Sequence, residues 1–327
     1  MLSTSFLSGS DSIYAKSSLT PSKTVAILMG SYNGGLYITE QLDSIESQTV
    51  KNWRLVVSDD GSSDATLDLI QSFMKRCGSE KVEIRQGPRL GFCQNFLRMA
   101  CDPAIRADFY AFCDQDDVWM PHKLEVAVDY LASLPNQDLP HVYCGRTAYV
   151  RDDLKPYAYS PLFVFPRSFR NALIQSIAGG NTMVFNQAAK DLLEQVGPVP
   201  SPSHDWWLYQ LVTGAGGDVY YDPEPTILYR QHDHALVGGN TSILAKIERI
   251  AMVFKGQFKR WSDQNIECLS IAYPYLNESS RDVLELFAKM RQAGLKDRLR
   301  LFEVCGLYRQ TWQGTWSLMF AALCKKI

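Results

Sequence analysis

The sequence predicts an α/β fold, with a mainly parallel central sheet, flanking helices and a C-terminal helical extension. Three observations carry this prediction. Between residues 24 and 117, short apolar runs alternate with stretches whose apolar residues recur at helical spacing, the pattern of βαβ units. Three of those runs end in polar loops rich in Asp, Ser, Asn and Gly. Beyond residue 240 the strand pattern stops and helical periodicity takes over.

Residues 1–22 are rich in Ser and Thr and predict a poorly ordered leader. The run Val25-Ala26-Ile27-Leu28-Met29 reads as a buried strand and ends in Gly30-Ser31-Tyr32-Asn33-Gly34-Gly35. A helix follows, with Ile38, Leu42 and Ile45 on one face. Arg54-Leu55-Val56-Val57 repeats the design, running into Ser58-Asp59-Asp60-Gly61-Ser62-Ser63-Asp64 and a helix carrying Leu67, Ile70 and Met74. A third strand is expected near Val82, and a fourth at Phe109-Tyr110-Ala111-Phe112-Cys113, which ends in Asp114-Gln115-Asp116-Asp117. The spacing of Leu124, Val128 and Leu131, with Pro121 in the first turn, predicts a helix over 121–134. A strand over 141–150, a helix over 169–177, a strand over 182–185, a strand pair within 218–231 and a helix over 206–213 complete the pattern.

The polar loops point to a site. In open α/β sheets ligands bind in the crevice outside the strand ends. Crowded carboxylates repel one another and are costly to desolvate unless paired or bound to a cation. A divalent cation carrying substrate phosphates relieves that tension, because Mg²⁺ uses one or two carboxylates plus phosphate oxygens. Each loop alone could instead be a helix N-cap, for which Ser, Asp and Asn are preferred. Three at one sheet edge make the site reading the stronger one.

The ordered set of motifs resembles the inverting glycosyltransferases of family 2, which have the A-type nucleotide-sugar fold. The matching segments are residues 29–34, Gln41-Leu42-Asp43-Ser44-Ile45 with Gln48-Thr49, residues 56–64, and Asp114-Gln115-Asp116-Asp117-Val118-Trp119. Gly180-Asn181-Thr182-Met183-Val184-Phe185, His204-Asp205-Trp206-Trp207 and Tyr229-Arg230-Gln231-His232 look most like the bacterial rhamnosyltransferase branch. The resemblance implies a catalytic domain over 23–240, with a donor-binding half (23–120) and an acceptor half (121–240).

It also implies roles. Asp116 would hold Mg²⁺ or Mn²⁺ on the donor diphosphate, and His232 would complete the metal shell. The branch pattern places Asn three residues after this His, whereas this chain has Ala235. Asp60, with Asp59 beside it, would accept the imide N–H of uracil or thymine. Asp114 would lie near the ribose and Asp117 would support the turn, Gly30 and Gln115 would bind the donor, Tyr32 would stack on its base, and Arg89 would lie near nucleotide or phosphate. Asp205 would act as general base, with Asn181, Trp206 and Trp207 lining the acceptor site. The competing reading makes Asp205 a helix cap and the tryptophans core filling. The expected donor is dTDP-rhamnose, with a UDP-sugar as the alternative, and the expected acceptor is a glycan or lipid-linked glycan. A catalytically silent sugar-nucleotide-binding subunit is the rival from another class. A nucleotidyltransferase would be expected to carry a basic Gly-rich loop after the first strand, and this one lacks Lys and Arg.

Composition sets bounds. The 327 residues, 46% hydrophobic and 21% charged, suffice for a large globular core. A net charge of −2 argues against nucleic acid as the main partner. Eight cysteines without Cys-x-x-Cys pairs, no secretory signal and no long apolar run predict a cytoplasmic protein. Residues 241–327 hold 14 Lys or Arg against 8 Asp or Glu, which leaves the first 240 residues at −8. Basic residues lie among aromatics, as in Phe258-Lys259-Arg260-Trp261. Such an extension suits peripheral contact with the inner face of an anionic plasma membrane, or packing against the catalytic domain or a second subunit.

Overall fold

The computed structural model describes residues 23–231 and 256–327. The opening strands are β1 (Val25–Ser31), β2 (Trp53–Asp59), β3 (Val82–Gln86) and β4 (Phe109–Cys113). They pair in parallel, with β1 between β2 and β4. Helices α1 (Ile38–Glu46), α2 (Thr66–Cys77) and α3 (Phe92–Ala100) return the chain between them, as parallel pairing requires. The short β5 (Val118–Trp119) and α4 (Lys123–Ser133) follow. Next come β6 (His141–Gly145), β7 (Ala148–Val150), β8 (Pro156–Tyr159), the single-turn α5 (Phe169–Ala172), β9 (Val184–Asn186), α6 (Gln187–Val196) and α7 (His204–Gly214). Strands β10 (Asp218–Asp222) and β11 (Ile227–Arg230) close this part.

Among the described residues, seven strands form the central sheet in the order β10-β6-β9-β4-β1-β2-β3, and four form a smaller sheet, β5-β11-β7-β8. Only β9 runs against its neighbours in the central sheet. Successive residues of a strand face opposite sides. Ala26, Leu28, Tyr110 and Phe112 therefore join one core, while Val25, Ile27, Met29, Phe109 and Ala111 join the other.

Several elements differ from the sequence expectation. The strand expected over 141–150 breaks after Gly145. Arg146 N still donates to Asp222 O (3.0 Å), but Thr147 N turns to Ser160 Oγ (2.9 Å), so β6 and β7 belong to different sheets. The expected strand pair in 218–231 is likewise divided, β10 and β11 lying in separate sheets. The helix expected over 169–177 keeps one turn. Beyond it, Gln175 Oε1 accepts from Gln310 N (2.9 Å) and the segment follows that contact. The helix expected at 206 starts at His204, with Ser203 as N-cap.

The C-terminal region is helical throughout its described residues: α8 (Gln257–Ile271), α9 (Glu278–Gln292), α10 (Leu295–Cys305) and α11 (Trp312–Leu323). Cys268, Leu269, Val283, Leu284, Phe287, Phe302 and Leu318 join the same core as Phe112 and Trp207. This region therefore shares a core with the α/β unit rather than trailing from it. Phe287 is 1% exposed. Phe287→Ala should lower unfolding free energy by about 3–5 kcal/mol, with the whole chain still unfolding in one denaturant transition. Two separate transitions would show that the helices fold as a unit of their own.

Candidate active site

The acidic turn leaves the C-terminal end of β4 at the centre of the sheet. Asp117 is fully buried; its Oδ2 accepts from Asn181 Nδ2, and its Oδ1 has no partner. Burial, then Asp116 and Asp205, pushes the Asp114 carboxyl up to about 8. Burial, then Asp116 and Asp114, raises Asp117 as well. Asp205 thus stands close enough for its charge to be felt at Asp114, although the two are far apart in sequence.

One short turn connects the two acidic groups. In the 3₁₀ turn Gly180–Thr182, Gly180 N donates to Asp205 Oδ2 (3.2 Å), while the next residue, Asn181, holds Asp117. Asp205 Oδ1 accepts from Trp206 N (2.6 Å) and Ser203 Oγ. A carboxylate offers about four acceptor sites, so Oδ2 keeps room for one more donor.

Beneath the turn lie groups to which the sequence assigned no role, two of them, Gln41 and Arg230, inside the matching segments. Buried Arg230 donates through Nε to the Asp116 carbonyl (3.2 Å) and through Nη2 to Glu40 (2.9 Å), with its guanidinium 4.7 Å from the Tyr37 ring centre. Gln41 is satisfied when its amide nitrogen donates to the Asp117 carbonyl (2.6 Å) and its oxygen accepts from Trp119 Nε1 (3.2 Å). Lys123 is wholly buried, with Nζ 4.1 Å from the Trp119 ring centre and no hydrogen-bond partner. Burial lowers its ammonium to about 8, against the opposing pull of Cys113 and Asp117. Helical spacing alone places Lys123 on the same face as Ala127, which was the available signal.

The donor-side residues gather on the neighbouring strand ends. Asp60 Oδ1 accepts from Arg89 N (2.6 Å) and Oδ2 from Gly91 N (3.0 Å). Arg89 crosses Gly61, its Nε lying 3.0 Å from where a Cβ would sit, and Gly61 has φ +102°. Asp60 and Arg89 are therefore brought together, and Tyr32 is exposed nearby in sequence to the β1 end. Three other residues have their groups turned inward, which corrects the expectation of direct donor contact. Asp59 is buried and accepts from Ser31 Oγ, Gly61 N, Ser62 N and Ser62 Oγ. Gln115 spends its amide on the backbone of Tyr32, accepting from N and donating to O, both at 2.9 Å. Gly30 lies within β1, where a Cβ would meet the Phe96 ring at 3.1 Å.

The acceptor assignments also change. Trp207 is fully buried in the core, and Trp206 is buried with Nε1 donating to Ala172 O (2.6 Å) and its ring edge-on to Trp261. Both tryptophans fill the interior, so neither offers a free face for stacking on a sugar. Asn181, 2% exposed, anchors Asp117 rather than facing an acceptor. Asp205 occupies the first turn of α7, not its cap.

Among the described residues, no three His, Cys, Asp or Glu side chains form a cage ready to hold a metal ion. Mg²⁺ does not require one, since phosphate and water complete its shell. Burial leaves one Asp117 oxygen without a partner and raises both the Asp114 and Asp117 carboxyls, holding them toward their neutral forms in the absence of a cation. The donor set therefore fits a divalent cation at Asp116. His232 lies outside the described residues.

An α/β fold with an acidic turn after β4 and Asp205 in α7 at one sheet edge is the arrangement expected of a nucleotide-sugar-dependent glycosyltransferase. The sequence pattern of glycosyl transferase family 2 matches residues 26–194, more than half of the chain, and the chain belongs to that family. It is 29% identical over 236 residues to the dTDP-rhamnosyl transferase RfbG of Shigella flexneri, spanning 69% of this chain and 78% of that one. Over 111 residues it is 34% identical to WfgD of Escherichia coli, a UDP-Glc:alpha-D-GlcNAc-diphosphoundecaprenol beta-1,3-glucosyltransferase, spanning 33% of this chain and 40% of that one. Residues 1–349 of S. aureus TarS, solved with UDP-GlcNAc, share the fold at a TM-score of 0.55 and 14% identity, over 93% of this chain and 88% of that one.

His204 adds a pH dependence. Its ring stacks on Phe96 (4.1 Å) and meets Phe112 edge-on (4.7 Å), and neither nitrogen has a partner. Burial pulls its pKa down to about 4, outweighing the opposite pull of Asp205. The folded value lies below the unfolded one near about 6.5. Its contribution is thus intact above that pH and is lost as pH falls toward 4. His204→Phe should remove this loss. Between pH 7 and 4 the wild type should lose on the order of 3 kcal/mol more than the variant, read from urea unfolding at each pH. Parallel losses would contradict a neutral buried His204.

Proposed function

We propose that the chain is an inverting, metal-dependent glycosyltransferase that moves L-rhamnose from dTDP-rhamnose onto a lipid-linked or polysaccharide acceptor in bacterial surface-glycan synthesis. The observation that carries the catalytic reading is the approach of Asp205 to the acidic turn, with one oxygen site left open. The choice of sugar rests on the likeness to RfbG over two thirds of the chain. A UDP-hexose donor is the second reading, favoured by the shorter likeness to WfgD. That relative's diphosphoundecaprenol-linked acceptor also supports a lipid-linked acceptor here. Eight free thiols suit the reducing cytoplasm, and no helix among the described residues is long and apolar enough to cross a membrane.

In this reading Asp60 accepts the imide N–H of the base, and Arg89 lies beside it. Asp116, with Asp114 close by, would hold a divalent cation, which when bound would supply charge stabilisation to the departing diphosphate. Asp205 takes the proton of the acceptor hydroxyl as that oxygen attacks the anomeric carbon opposite the diphosphate. The new bond forms on the face away from the one that breaks, so configuration inverts. Arg230, Gln41 and Asn181 hold the turn that carries the acidic groups. A donor panel with purified protein, Mg²⁺ or Mn²⁺ and product detection separates dTDP-rhamnose from UDP-sugars, and absence of turnover with every donor would favour a silent binding subunit.

Two substitutions test the roles. Asp116→Ala should stay folded and lose transfer, and Mn²⁺ titrated with dTDP present should no longer give the bound-metal EPR signal. Full activity of the wild type in excess chelator would reject the metal. Asp205→Asn keeps size and an oxygen for Trp206 N but cannot take a proton at neutral pH. Turnover should fall by ~10²–10⁴-fold while nucleotide affinity, measured by calorimetry, holds. Near wild-type turnover, or a product with the donor's own anomeric configuration, would sink this assignment.

A further inference from the structure

The α11 helix is built the opposite way from most surface helices. Its inner face is made of Leu318, Ala321 and Ala322, whereas its bulkiest side chains point outward. Trp312, Trp316 and Phe320 recur every fourth residue, which aligns them along one side, and they are 71%, 66% and 59% exposed. The helix is firmly held in this orientation. Thr311 caps its start by accepting from Gly314 N (3.0 Å), and buried Arg298 donates to the Ala322 (3.4 Å) and Leu323 (3.2 Å) carbonyls at its end. The exposed stripe is therefore not a frayed end awaiting the core.

The patch extends beyond the helix. Phe165 meets Trp312 edge-on at 5.6 Å, and its chain neighbours Leu162 and Val164 are exposed in the same loop. The same stretch of the chain is basic. Residues 295–327 contain six Lys or Arg against two Asp or Glu, and Lys296, Arg300 and Lys325 are exposed.

We propose that the α11 stripe, with the adjoining loop and cations, is a docking surface for an anionic lipid bilayer. Tryptophans with an apolar body and a polar N–H concentrate at the membrane–water boundary, and basic residues around them are drawn to anionic headgroups. A second copy of the chain fits less well. The three aromatics of the stripe by themselves fall short of the roughly 800 Å² per partner of a stable interface, so a dimer would have to bury the loop and the cations as well. Pairing two copies would also bring like charges together. The helix spans too few residues to cross the bilayer, so it lies in the interface plane. This surface is independent of which sugar the enzyme transfers.

The test uses the full chain and vesicle flotation. Wild-type protein should float with phosphatidylcholine vesicles containing phosphatidylglycerol, and should bind pure phosphatidylcholine at least ~10-fold less. The triple variant Trp312→Ser, Trp316→Ser, Phe320→Ser should lose flotation while keeping its melting temperature and nucleotide affinity. Lys296→Glu with Arg300→Glu and Lys325→Glu should weaken flotation without touching the aromatics. Should the triple variant fold poorly, the single Trp316→Ser change and the blue shift of wild-type tryptophan emission on adding anionic vesicles replace it. The proposal is overturned if the wild type stays unbound, if the aromatic variant floats as well as wild type, or if the wild type is a dimer that the variant converts to monomer with no vesicle binding by either.

Discussion

The acidic turn Asp114-Gln115-Asp116-Asp117 follows β4 with Asp205 near enough to act on Asp114, and the burial of these carboxylates, with their repulsion, is the constraint on which the site depends. Burial first, and the neighbouring carboxylates second, raise the proton affinity of Asp114 and Asp117. The fold must therefore hold the groups together against their own field. It does so with neutral donors and with Arg230 and Lys123 placed behind them. Asn181 holds Asp117, Gly180 N holds Asp205, and Arg230 grips the Asp116 carbonyl from below. Because Gly180 and Asn181 are consecutive, the spacing between the acidic turn and Asp205 is fixed by a single peptide unit.

Glycine at 180 follows from this arrangement. A Cβ there would lie 2.2 Å from His204 Nε2, and His204 cannot move because Phe96 and Phe112 enclose its ring. The imidazole has no polar partner, so its value to the site is shape: it forms the wall against which the Gly180 backbone is pressed toward Asp205. A side chain at 180 would displace either the ring or the turn. Similar logic holds at Gly34, where a Cβ would collide with Gln115 Oε1 at 2.2 Å, disrupting the amide that ties the β1 loop to the acidic turn.

The strands of the donor half were legible because each is a short apolar run ending in polar residues, and β4 matches its expected residues throughout. Strand partners were not legible, since the break at Gly145 depends on Ser160 and Asp222, which no local pattern announces. Within the site, acidic residues could be recognised by type and position, but not their direction. Asp59 and Asp60 are adjacent in sequence and alike in chemistry. Only the folded loop reveals that Asp59 is consumed by four local donors whereas Asp60 faces the 87–91 turn. The tryptophans beside Asp205 misled for the same reason, because an aromatic pair suits a sugar platform and a core equally well until burial is known.

Burial also explains why the C-terminal region had two readings in sequence. A helix with small residues inside and large aromatics outside leaves the same composition as one packed the other way. In α11 the inner positions Leu318, Ala321 and Ala322 complete the shared core, so the requirement to pack against the catalytic unit is already met without Trp312, Trp316 or Phe320. Exposing such side chains carries a hydration cost that folding alone does not recover. That cost is offset when the face meets an apolar phase, and the nearby Lys and Arg select one with an anionic surface.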